Sequence, residues 1–208
     1  MDWREGQDAG SDWYEALQVA PDVFFINMIF SSQPREDEAF IVNIRTRRVL
    51  SVRERVRDAA EAPGEPRVAQ VYMPGLLGDG GVSSGIEPAP TRDLIGLTSH
   101  YEYSPQHVYE HVYLSSERYA WQNLVGVQRG HGDVDLATTW KFDDNQYVFG
   151  FREFIIPVAS IFFYNFDDMR STGKFLGVTS QGAVENKPAG AFIRKQSRTT
   201  YEAGREPI

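Results

Sequence analysis

The chain has 208 residues and a formal net charge of −8 with a pI near 5.0, a balance that argues against nucleic acid as a partner, because phosphate binding needs clustered Lys and Arg. Hydrophobic residues at 41% and charged residues at 24% supply a sizeable core for one domain and exclude wholesale disorder. The absence of cysteine excludes disulfides, thiol nucleophiles and cysteine-ligated metal centres.

Residues 1–21 read as an acidic lead-in, with a helical turn over Asp12–Leu17 before Pro21. The start MDWREGQDAGSDW has neither a basic end nor an apolar stretch, and no segment approaches the roughly 18 apolar residues that span a bilayer. No membrane partner and a cytoplasmic location are therefore expected. From Val23 the runs VFFINMIF, AFIVNIRTRRVLSVRERV and Val68–Met73 alternate apolar and polar residues between polar turns, which is the pattern of hairpin strands. They are assigned as the first half of a barrel, residues 1–73. The arginines between Arg45 and Arg57 alternate with apolar residues and read as one solvated strand face.

Residues 74–93 are rich in Gly and Pro and form a connector, or a flap over a cavity mouth. Residues 94–180 carry seven short alternating runs, from LTSHYEY to KFLGVTS, and form the second half. Residues 181–208 are polar and turn-rich, a tail that wraps the outside or frays. The expected fold is one all-β domain, an antiparallel up-and-down barrel. A faint echo between FFINMIF…AFIVNIRTRRVLS and YVFGFREF…SIFFYNFDDMRSTG points to two related halves.

Tight turns fix which strand residues oppose each other and so which share a face. A turn at Ser116-Glu117 places Glu110 opposite Asn123 and Val112 opposite Trp121, with Tyr119 on the same face. A turn at Pro105-Gln106 adds Tyr101 and Tyr103 to it. A turn at Asp144-Asn145 places Trp140 opposite Phe149, with Tyr147, Phe151 and Glu153 on the same face. Both aromatic faces then carry one carboxylate, Glu110 or Glu153, which burial would push toward a pKa suited to proton transfer. The alternative is that each sits at a barrel end, paired with Arg118 or Arg152. Arg170 is a candidate for gripping an anionic group.

His107-Val108-Tyr109-Glu110-His111 spells the H-x-x-E-H zinc motif, but the motif needs a helix and the residues that follow are β-branched and aromatic. No metal site and no cofactor are expected, and no phosphate-binding loop is present.

The stretches YEHVYLSSERYAWQNLVG, QYVFGFREFIIP and FDDMRSTGKFLGV resemble the MoaF family, over roughly Leu94 to Val178. The resemblance implies a calycin-like (lipocalin-like) β-barrel built from two related halves, and it implies no catalytic step. Two functional readings follow. The first is a cofactor-independent lyase, isomerase or cyclase acting on a small hydrophobic organic substrate, with Glu110 or Glu153 moving a proton, Tyr101 or Tyr103 assisting, and Trp121, Asn123, Tyr119, Trp140, Tyr147, Phe149, Phe151 and Arg170 holding the substrate. The second is a non-catalytic carrier or sensor using the same cavity. A metal enzyme using His107 and His111 is a third alternative, and exposed strands leave room for a homodimer.

Overall fold

Alternating side chains and closely spaced turn residues place more than half of the chain in antiparallel strands. The computed structural model describes residues 1–5, 8–78 and 80–208. Gly6 and Gln7 of the expected lead-in and Asp79 of the expected connector lie outside the described residues. The strands are β1 (Asp2–Glu5), β2 (Asp8–Ser11), β3 (Trp13–Ala20), β4 (Val23–Ile29), β5 (Glu36–Asn43), β6 (Arg48–Val56), β7 (Val68–Leu76), β8 (Ala89–Pro90), β9 (Leu97–Ser104), β10 (His107–Tyr113), β11 (Arg118–Val125), β12 (Gly132–Asp143), β13 (Gln146–Arg152), β14 (Val158–Asn165), β15 (Arg170–Val178) and β16 (Val184–Arg198). No helix among the described residues is long and apolar enough to cross a membrane.

Strands β9 to β16 run up and down in chain order and close into an eight-stranded barrel, with β11 bonded to β12 and β16 bonded back to β9. Closure leaves no free edge in this part of the molecule. The expected barrel is present, but residues 97–198 complete it alone. Residues 13–76 instead form a separate five-stranded sheet in the order β3-β4-β5-β6-β7, so they do not supply half of the barrel wall. The expected polar tail supplies the missing wall: β16 carries Ala189, Ala191 and Ile193 toward the core while its other face is largely exposed. The expected helical turn at Asp12–Leu17 falls mostly within β3, which pairs with β4 along its length.

The sheet lies against the outside of the barrel. Ala39, Ile41, Leu50 and Val52 from the sheet pack on Val148, Ile161 and Phe163 from the barrel wall, all sealed from solvent. Each large side chain buried this way contributes about 2 kcal/mol. Beside this contact, Lys174 of β15 donates to Asp37 of β5 and to Glu54 of β6, and all three side chains are buried. Gln70 of β7 extends the polar seam, donating to Glu54 at 2.7 Å and to the Ser160 carbonyl at 3.0 Å. Its carbonyl oxygen accepts from Arg152 at 2.8 Å.

The echo in the sequence corresponds to a shared turn device. In the β5–β6 turn, Asn43 accepts from the Arg45 and Thr46 N–H groups, and Arg47 adopts φ 67°. In the β14–β15 turn, Asn165 accepts from the Asp167 and Asp168 N–H groups, and Met169 adopts φ 53°. The neighbouring turns match too. Ile44 N–H donates to the Asp22 carbonyl and Phe166 N–H to the Asn145 carbonyl, both at 2.9 Å, and Asp22 and Asn145 are both left-handed, at φ 62° and 55°. The side-chain caps supply the hydrogen bonds that such turns leave unpaired in the backbone.

Candidate functional site

The interior of the barrel is set by register, and in three hairpins the register differs by one residue from that of a simple tight turn. The β9–β10 hairpin turns at Pro105-Gln106 as expected, but a bulge between His107 and Val108 brings Tyr109 opposite Tyr101 and Glu110 opposite His100. The β12–β13 hairpin turns at Asp144-Asn145, and a bulge at Phe142 brings Thr139 opposite Phe149 and Trp140 opposite Val148. Between β10 and β11 the connection is Leu114–Glu117, so His111 opposes Trp121 and Tyr113 opposes Tyr119. A one-residue shift exchanges the two faces of a strand.

Two expected site residues leave the interior as a result. Glu110 lies on the outer face, 3.4 Å from His100. Trp140 also turns outward and stacks on Tyr72 of the packed sheet, with ring centroids 5.8 Å apart. Arg170 is exposed at the start of β15, its guanidinium 4.6 Å from the Phe192 ring centroid on the outside of the barrel. Tyr101, Tyr103, Tyr119, Trp121, Tyr147, Phe149 and Phe151 all face inward as expected. Asn123 is buried, its side-chain amide donating to the Val125 carbonyl at 3.0 Å.

The barrel is filled at one end and hollow at the other. At the filled end Leu94, Leu97, Tyr147, Tyr164 and Phe166 pack together, and the Tyr147 hydroxyl donates to Asp93 at 3.0 Å. In the middle, the hydroxyls of Tyr101, Tyr113 and Tyr164 form a buried chain, 2.6 Å and 3.1 Å apart. Burial pushes these phenols above their ordinary pKa, so they stay protonated. Above them opens a cavity of about 280 Å³, walled by Tyr103, Tyr109, Tyr119, Trp121, Phe151 and Phe175 with His107, His111, Gln128, Glu153 and Ile156 between them. No described residue of the 74–93 connector lines it.

Glu153 follows β13 at the mouth. It forms no ion pair among the described residues, and neither Arg118 nor Arg152 holds it. Burial, with the Asp135 and Asp133 carboxylates adding to it, pushes its pKa up to about 8. Asp135 accepts from the Trp121 indole at 2.9 Å and from the Phe154 N–H at 3.1 Å, which fixes both a cavity wall and the loop that follows Glu153. His111 is 4% exposed, its ring 4.3 Å from that of Tyr101 and 5.1 Å from that of Tyr119. Burial pushes its pKa down to about 3, so the imidazole is neutral.

Tyr109, Asp135 and Phe175 are not among the expected site residues, and His111 is expected there only as a metal ligand beside His107. The alternation of Tyr109, His111 and Tyr113 along HVYEHVY marks the inward face, provided that the aromatic parity is followed instead of an assumed turn. The zinc motif has no helix to stand on. His107–Tyr113 is a strand, Glu110 points away from His111, and no group of three or more His, Asp or Glu among the described residues is placed to hold a metal ion.

The comparisons with known proteins agree with this division of the chain. Residues 88–199 match the family model of the MoaF C-terminal domain, and residues 1–58 match that of the MoaF N-terminal domain. The chain belongs to the MoaF family. It is 32% identical over 198 residues to Protein MoaF of Klebsiella aerogenes, covering 91% of this chain and 76% of that protein. The MoaF match therefore reaches well beyond residues 94–178 and includes the packed sheet. Among solved structures, a Burkholderia vietnamiensis protein provisionally named a beta-lactamase is similar over 50% of this chain and 95% of its own, at 12% identity and a TM-score of 0.43, a likeness too distant to inform function.

Proposed function

We propose that this MoaF-family barrel binds a small, flat, hydrophobic organic molecule in its open end and transfers a proton to or from it through Glu153, without a cofactor. The observation that carries the reading is the Glu153 carboxyl itself, set in an aromatic cavity with two carboxylates near it and, among the described residues, no lysine or arginine lining it. With its pKa near 8, Glu153 is mostly protonated at neutral pH and lies close enough to it to give up and regain a proton in one cycle. The rings supply orientation, since a flat molecule between Tyr103, Trp121 and Phe175 has few poses. A lyase, isomerase or cyclase reaction fits these parts, because each can run on proton transfer and positioning alone. Glu110 has no place in this scheme, because it lies outside the barrel.

The test is mass spectrometry of small molecules that co-purify with the wild-type protein and with Glu153→Gln. The expected result is a compound retained by Glu153→Gln that the wild-type protein converts to an isomer or fragment, with a rate governed by a group of pKa near 8. A compound returned unchanged by both proteins after long incubation replaces catalysis with carriage.

A further inference from the structure

Among the described residues the His111 imidazole packs against aromatic rings but forms no hydrogen bond. Its Nδ1 is sealed from solvent without a hydrogen-bond partner, and no side chain or backbone group among the described residues bonds to Nε2. Yet the ring lines the cavity, between the Tyr101 and Tyr119 rings below and the open space above. A phenyl ring would give the same packing with no polar atoms to desolvate, so a histidine here carries a cost that packing does not offset. A neutral imidazole has one N–H and one lone-pair nitrogen. A sealed N–H without an acceptor is the more expensive of the two orphans, so the proton belongs on Nε2 and the lone pair on Nδ1. Nε2 is the nitrogen that is not sealed.

We infer that His111 presents its Nε2–H to the cavity as the polar selector of the ligand, which is an uncharged ring compound bearing a hydrogen-bond acceptor such as a carbonyl, lactone or ether oxygen on its deep edge. The inference rests on the cavity being a ligand site and adds what the ligand must carry. The surroundings support an uncharged molecule. The nearby hydroxyls of Tyr101, Tyr113 and Tyr164 are occupied with one another, and among the described residues no lysine or arginine lines the cavity to hold an anion. An apolar ring of the same size leaves the Nε2–H unpaired, and a site with a committed donor discriminates against such a molecule.

Coumarin, a two-ring lactone, and naphthalene, its hydrocarbon counterpart in size, test this by titration against tryptophan fluorescence in wild type and His111→Phe. Coumarin is expected to bind His111→Phe about ten-fold more weakly than wild type, with naphthalene bound equally or more tightly by the variant. An equal effect of the substitution on both probes overturns the selector role and leaves the cavity reading standing, whereas failure of both probes to bind wild type overturns the cavity reading and this inference together. If His111→Phe does not fold, two-bond proton–nitrogen correlation spectra of the wild-type protein decide the matter. The expected spectrum shows the proton on Nε2 and a shift of that nitrogen on adding coumarin; a proton on Nδ1, or an unmoved Nε2 at saturating coumarin, overturns it.

Discussion

A carboxyl group held among rings and other carboxylates, with no cation beside it, keeps its proton at a pH where the unfolded chain has released it. Glu153 is in that position, with its pKa raised from 4.5 to about 8. Between those values the folded state binds more protons than the unfolded one, so this residue's contribution to stability falls as pH rises. Glu153→Gln removes that contribution. Relative to wild type, the variant is expected to gain at least about 1 kcal/mol on going from pH 5 to pH 8, after allowance for partial exposure. Thermal unfolding at the two pH values checks it, and a constant difference would show that Glu153 titrates normally. His111 acts in the opposite sense. Its pKa is lowered from 6.5 to about 3, so the unfolded state takes up the proton first and stability falls as pH drops below 6.5. Both proteins share this term, and the comparison isolates Glu153.

At the scale of the hairpin, what the sequence reveals and what it hides separate cleanly. Alternation in VFFINMI, HVYEHVY and QYVFGFR identifies these strands directly, and Pro105-Gln106 and Asp144-Asn145 are the turns that the structure has. The faces are hidden because the bulge beside each turn adds one residue to one strand, which leaves the alternation intact and reverses its meaning. Strand β16 is hidden for another reason: Asn186, Pro188 and Gly190 interrupt it, and its inward side chains include two alanines, so its apolar signal is weak. Asn145 offers a direct test of the turn chemistry. Its φ of 55° is costly for a residue with a β-carbon and no local side-chain hydrogen bond, so Asn145→Ala is expected to lose about 1 kcal/mol in urea denaturation and Asn145→Gly less. Equal midpoints for Asn145→Ala and wild type would contradict a left-handed residue at this position.

On the scale of the whole molecule, the sheet and the barrel are joined by an apolar patch with a buried charge cluster beside it. One ammonium, Lys174, lies between two carboxylates, Asp37 and Glu54, and burial together with the Glu54 charge pushes the Asp37 pKa up to about 7 even against the attraction of Lys174. Lys174→Met strands two buried acids and is expected to lose about 3–5 kcal/mol of stability in chemical denaturation. Adding Asp37→Asn and Glu54→Gln to it recovers a substantial part of the loss. A Lys174→Met protein as stable as wild type would mean that the cluster does not bear on how the two parts hold together.

The plugged end of the barrel has its own consequence. With Leu94, Tyr147, Tyr164 and Phe166 closing the floor, any guest must arrive and depart through one doorway, so a departing molecule blocks the next arrival. Under the proposed function, a ligand and whatever is made from it would therefore compete for the same passage. Under the proposed function, the pace of that exchange would be set at the rim, where Asp135 holds Trp121 and the backbone of Phe154 in place.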